Sequence, residues 1–98
     1  MARGLRHLPL SAKQVARAKV LAKDARACTR LAAHPVAAVA AAIAYAVVFV
    51  DQVPLSAAEV AAPFRVGATR LRAAFEVLRA ELDLTRGDAR YATQPRRG

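Results

Sequence analysis

The sequence predicts an all-α fold, a compact bundle of about four helices around one central apolar helix. Three observations carry that expectation. The run from Pro35 to Val50, PVAAVAAAIAYAVVFV, has no polar group on its side chains except the Tyr45 hydroxyl. A helix that is apolar on every face has to be surrounded, by protein or by lipid. The segments on either side of it place apolar residues three and four positions apart, the spacing of one helical face. Finally, 56% of the 98 residues are hydrophobic but only 5% are aromatic, with no Trp, so the core is built from Ala, Val and Leu, which suits closely packed helices. The sixteen residues of the apolar run give roughly 24 Å of helix. A bilayer's hydrocarbon layer is about 30 Å thick and usually takes about 20 residues, so the expectation is a protein core and no membrane partner.

The elements follow in order. Residues 1–10 read as a short arm in which Leu5, Leu8 and Leu10 are apolar while Gly4 and Pro9 prevent a long helix. Ser11 suits the N-cap of a helix from Ala12 to about Arg30. Its apolar face is Ala18, Leu21, Ala25 and Cys28, flanked by Val15 and Ala22, and Lys13, Arg17, Lys19, Lys23, Arg26 and Arg30 cover the rest. Leu31 to His34 read as a linker, and Pro35 suits the first position of the central helix, where its missing N–H costs little. Asp51-Gln52-Val53-Pro54 breaks that helix. Ser56 and Glu59 form a capping box for a short third helix that Pro63 should end. Residues 63–67, PFRVG, make a tight connection with Val66 as the apolar residue turned inward. A fourth helix runs from about Ala68 to Leu84 with Leu71, Ala74, Phe75, Leu78 and Leu82 as its buried stripe. From 86 to 98 the chain loses all periodicity and reads as a disordered basic tail.

Charge is unevenly placed. The net charge is +9, with +7 in residues 1–34, −2 in residues 35–64 and +4 in residues 65–98. Two basic blocks around an apolar middle favour a polyanionic partner. The third and fourth helices, SAAEVAAPFRVGATRLRAAFEVL, have the pattern of a helix-turn-helix: a short capped helix, a brief turn plugged by Val66, and a longer helix locked down by Leu71 and Phe75. Opposite the Leu71–Leu78 stripe lie Ala68, Thr69, Arg72, Ala73 and Glu76, with Arg70 near the edge. In a helix-turn-helix this face enters the major groove of double-stranded DNA, where Arg takes guanine bidentately and Thr or Ala meets a thymine methyl. The expected base contacts are therefore Ala68, Thr69, Arg70, Arg72 and Ala73, and the expected phosphate contacts are Arg65, Lys13, Arg17, Lys23, Arg26 and Arg30. The competing reading makes Arg72–Glu76 and Arg79–Asp83 solvated pairs one helical turn apart.

Residues 35–78, with the Ala-rich helix opened by Pro35, AAAIAYA at 40–46, the polar break, Glu59-Val60-Ala61, Val66, and Leu71-Arg72 leading to Phe75 and Leu78, resemble the second half of a cyclin-type repeat from transcription factor IIB and its archaeal counterparts. The helix before them, SAKQVARAKVLAKDARAC, is similar to the preceding helix of that repeat, and the likeness covers roughly residues 5 to 84. In that family two five-helix repeats lie side by side, bind promoter DNA beside the TATA-binding protein, and read an upstream element through a helix-turn-helix. The resemblance thus implies a single cyclin-like domain over residues 11–85 and, as partners, double-stranded DNA with the TATA-binding protein or another transcription factor. The chain departs from the family in several ways. It has one repeat rather than two, no Cys cluster for a zinc ribbon, and a first helix shortened to MARGLRHL. Arg65 stands where the family usually has glycine, Pro63 comes just before, and Arg70 replaces a Thr. A regulator of transcription or a degenerate fragment fits this better than a complete initiation factor.

No enzyme chemistry is expected. His7, Cys28 and His34 are the soft metal ligands besides Met1, and a zinc site needs about four converging ligands, so neither metal nor cofactor is expected. No nucleophile–base pair and no Gly-rich phosphate loop is present. Tyr91 with Arg86, Arg90, Arg96 and Arg97 suits either a nucleic-acid arm or a solvated tail. One Cys and the lack of a continuous apolar N-terminal run point to a reducing compartment: the cytoplasm, associated with the nucleoid, or the nucleus in a eukaryote. The alternative function is a protein interaction module without sequence-specific DNA binding, which pairs with itself as a homodimer or with another cyclin-like repeat.

Overall fold

Ser11 opens the first helix as the sequence implies, and Gln14 completes the cap. In the computed structural model, which describes residues 10–26 and 29–86, the Gln14 backbone N–H donates to Ser11 Oγ at 3.2 Å, and the Ser11 N–H donates to Gln14 Oε1 at 2.9 Å. The helix, α1, runs Ala12–Ala25 and buries Gln14, Ala18, Leu21 and Ala25. It stops short of the expected end near Arg30. A 3-10 turn at Thr29–Ala33 follows, in what reads from sequence as the tail of the helix and a linker. The physical reason is Leu31, which is only 5% exposed. At about 100° per residue a continued α-helix would carry Leu31 well off the buried stripe of α1, and the break lets it turn into the core. Cys28, expected on the apolar face, lies outside the described residues, as do the arm up to residue 9 and the tail from residue 87.

The central helix, α2, is Val36–Asp51, with Pro35 as its N-cap rather than its first residue. It ends at Gln52 in the left-handed conformation (φ 55°), whose N–H returns to the Val48 carbonyl. Ala38, Ala41, Ala42, Ala44, Ala46 and Val47 are wholly buried. α2 packs most extensively on α4 (Ala68–Leu82), then on α1 and on the short α3 (Ala57–Ala61). Alanine makes this possible, because small side chains let several helix backbones approach one axis. The described residues form helices and turns only, so the all-α class holds. None of their helices is long and apolar enough to cross a membrane.

Aromatic residues fasten the long helices. Phe75 of α4 meets Tyr45 edge-on (centroids 5.0 Å, 84°) and Phe49 at 5.5 Å, both on α2. Such pairs contribute about 0.5–1.5 kcal/mol beyond the area they bury. Arg79 and Arg86 lie over the Phe49 ring, 5.4 and 5.7 Å from its centroid. α4 ends two residues earlier than the pattern suggests, at Leu82, because Asp83 turns left-handed (φ 51°) and the Leu84 N–H folds back to the Arg79 carbonyl. Leu84 is thereby buried (3% exposed) outside the helix.

Gln14 is the one buried polar side chain among the described residues. Its Nε2 donates to Asp51 Oδ2 at 2.9 Å, which ties the first turn of α1 to the last residue of α2. One side chain therefore caps one helix and anchors it to another. Gln14→Ala removes both interactions and should lower stability by about 1–2 kcal/mol. Urea denaturation checks this. Equal midpoints for Gln14→Ala and the wild type would show that the tie carries no stability.

Candidate nucleic-acid interface

The third helix is only five residues long and depends on its cap. The Glu59 N–H donates to Ser56 Oγ and the Ser56 N–H to Glu59 Oε1, each at 3.1 Å, so the capping box read from sequence is present. Ala57, Val60 and Ala61 are buried against α2 and α4. Pro63 does not end the helical path. The α-helix closes at Ala61 and a 3-10 turn, Ala62–Phe64, carries the chain through Pro63. Phe64 packs on the core alongside Val66, so two apolar residues, not one, hold this connection down.

The reversal itself falls on Arg65. Its backbone is left-handed (φ 57°, ψ 41°), its N–H donates to the Ala62 carbonyl at 3.0 Å, and its side chain is exposed. The conformation that glycine adopts most easily is here imposed on arginine, at a cost of about 1–2 kcal/mol. The nearby glycine, Gly67, has ordinary extended angles (φ −73°, ψ 149°), and nothing lies within 4 Å of where its Cβ would be. Gly67 instead serves as the N-cap of α4 and contributes no side-chain cap. The N–H groups of the first turn of α4 thus keep the positive end of a fifteen-residue helix without a side-chain acceptor from the cap. The sequence signal for this was a Gly, rather than Ser, Thr or Asp, immediately before the helix.

Along α4 the expected stripe is found: Leu71, Ala74, Phe75 and Leu78 are buried and Leu82 is half-buried. Thr69, Arg70, Arg72 and Ala73 are exposed together on its first two turns. Ala68 departs from the expected set, because it is half-buried and packs on the core, so its methyl faces inward. Helical spacing sets Arg70 and Arg72 on opposite flanks of the exposed face, with Thr69 and Ala73 between them. Arg72 and Glu76, four residues apart, do not form an ion pair with each other.

The expected phosphate contacts do not form one stripe. Lys13, Arg17, Lys23, Arg26, Arg30 and Arg65 are all exposed, but α1 carries Lys13 and Arg17 on one side and Lys19, Lys23 and Arg26 on the other. The Gln14–Asp51 bond puts the Lys13 end of α1 beside the end of α2, from which the chain continues into α3. Arg26 lies about 20 Å further along α1. Arg30 is engaged elsewhere, pairing with Glu81 on the last turn of α4 at 3.3 Å. His34 is half-buried, whereas His7 and Cys28 lie outside the described residues, as do Arg90, Tyr91, Arg96 and Arg97.

Scans against protein-family models, curated proteins and solved structures find no match.

The turn geometry has a measurable consequence. Arg65→Gly relieves the left-handed cost but enlarges the unfolded ensemble, and the net effect should be a gain of about 0.5–1 kcal/mol. Arg65→Val should lose stability, because a β-branched residue tolerates positive φ least. Urea midpoints of the two variants decide it, and the same sign for both would contradict the geometry.

Proposed function

We propose that this chain is a non-enzymatic DNA-binding module of transcription, a single cyclin-like repeat that presents α4 to the major groove. The observation that carries the reading is the joint exposure of Thr69, Arg70, Arg72 and Ala73 on the first two turns of a helix that follows a short capped helix and a tight turn. The two arginines on opposite flanks suit recognition of guanine N7 and O6, and Thr69 and Ala73 between them suit a thymine methyl. Arg65 at the turn and the uncapped N-terminus of α4 suit the phosphates on either side of the groove. Lys13 and Arg17, at the end of α1 tied to α2, suit a further stretch of backbone, and the net charge of +9 supports the polyanion.

The finer assignment rests on the resemblance to the repeats of transcription factor IIB. The order of helices supports it: a basic helix, an Ala-rich central helix opened by proline, then a helix-turn-helix packed on that central helix. On this reading the partners are double-stranded DNA and a second transcription factor such as the TATA-binding protein, and the protein acts at the nucleoid or in a nucleus.

Anisotropy of a labelled DNA duplex against salt tests the reading. Neutralising a handful of phosphates should make log K fall linearly with log salt, with a slope of about −3 to −5. Arg72→Ala should flatten the preference among sequences and cost about 1–3 kcal/mol on the preferred one, while Arg17→Ala should weaken all sequences alike and reduce the slope by about one. The absence of binding at about 50 mM salt would end the proposal.

A further inference from the structure

Away from the turn and α4, the described residues leave the start of α2 exposed. Val36 is 86% exposed, an unusual position for a valine on the most apolar helix of the fold. Beside it lies a groove of about 430 Å³ between the last turns of α1, the Thr29–Ala33 turn and the first half of α2. Ala22, Leu31, Val36, Val39 and Ile43 make its walls, and its polar members are Arg26 and His34. Among the described residues that line it there is no carboxylate. On α1 the side that carries Arg26 also carries Lys19 and Lys23, whereas Asp24 is on the far side. The groove is thus an apolar slot with a basic bank.

We propose that this groove docks an acidic amphipathic helix of another protein, with apolar anchors entering between α1 and α2 and flanking carboxylates meeting Lys19, Lys23 and Arg26. Val36 to Ile43 cover roughly 10 Å of helix, so two or three anchors at i, i+4 and i+7 fill the slot. The charges select the occupant. A second copy of this chain would bring another net charge of +9 against the same basic bank, and residues 1–9 would add Arg3 and Arg6 to it. Nucleic acid would find two polar side chains in an otherwise apolar slot. The proposal is independent of DNA binding by α4.

The test uses the full chain and a labelled helical peptide with leucines at i, i+4 and i+7 and glutamates on both flanks, followed by anisotropy at physiological salt. Two twins of the peptide serve as comparisons, one with lysines for the glutamates and one with serines for the leucines. The acidic peptide should bind at least about tenfold more tightly than either twin. It should shift the amide resonances of residues 31–43. Val36→Asp and Arg26→Glu should each weaken it by about tenfold. Val36→Asp leaves the fold intact, since the site is exposed and an acidic residue in a first turn suits the helix dipole. Equal binding of the acidic and basic peptides, equal binding of the serine twin, or an unchanged affinity for Val36→Asp would each overturn the proposal. Dimers broken by Val36→Asp would overturn it in favour of a second copy. A tenfold gain in peptide affinity on replacing Leu5 and Leu8 by serine would overturn it in favour of residues 1–9.

Discussion

Between Ala38 and Val50 the helix α2 presents apolar side chains in every direction, and water cannot be left in contact with most of them. Every other element is placed to meet that demand. α4 supplies the largest cover through Leu71, Phe75 and Leu78, α1 adds Ala18, Leu21 and Ala25, and the short α3 closes the far end with Val60 and Ala61. Alanine contributes little burial of its own, about 0.8 kcal/mol per CH₂-sized group. Its value here is steric, because it lets three helices share one axis. The polar ends of α2 are handled separately: Asp51 is held by Gln14, and Gln52 turns the chain away. Among the described residues no buried side-chain nitrogen or oxygen lacks a hydrogen-bond partner.

The same constraint positions both of the proposed binding surfaces. α4 is pinned by its buried stripe, so its opposite face, with Thr69, Arg70, Arg72 and Ala73, is held outward at a fixed angle. The DNA contact proposed for α4 needs that rigidity, since base edges discriminate only when donors arrive in register. Where the described residues leave α2 exposed at Val36 and half-covered at Val39, there is a slot rather than a face. The exposed basic residues divide accordingly: Arg65, Arg70 and Arg72 stand at the turn before α4 and on its first turns, Lys13 and Arg17 at the start of α1, Arg26 with Lys19 and Lys23 beside the slot, and Arg30 is engaged by Glu81. Among the described residues, the basic side chains of α1 therefore do not form one stripe, since Lys13 and Arg17 lie on one side and Lys19, Lys23 and Arg26 on the other.

Much of this frame is legible in the residues. An apolar run opened by proline and closed by a polar break defines α2 to within a residue, and Ser56 with Glu59 names the start of α3. The stripe of α4 and the outward set beside it follow from three- and four-residue spacing. What escapes such reading depends on tertiary demand. Leu31 looks like linker, yet the core recruits it and breaks α1 to do so. Leu84 looks like the end of a helix, yet a left-handed Asp83 folds it inward. Gln14 reads as one more polar residue on a basic helix, because its second role needs Asp51, thirty-seven positions away. Ala68 reads as part of the outward face and is instead spent on packing. Arg65 shows the limit of local propensity most plainly: the chain reverses there, although the glycine is two residues later.

If α2 is the hub, its amides should open only when the whole protein unfolds. Native-state hydrogen exchange measures this directly. The amides from Ala41 to Val50 should exchange with the free energy and denaturant dependence of global unfolding, together with those of Leu71 to Leu78, while α3 and the turn through Arg65 open at lower cost. Exchange in α2 as fast as in α3, or insensitive to denaturant, would mean that the apolar helix is not the element that holds the others, and would contradict the account.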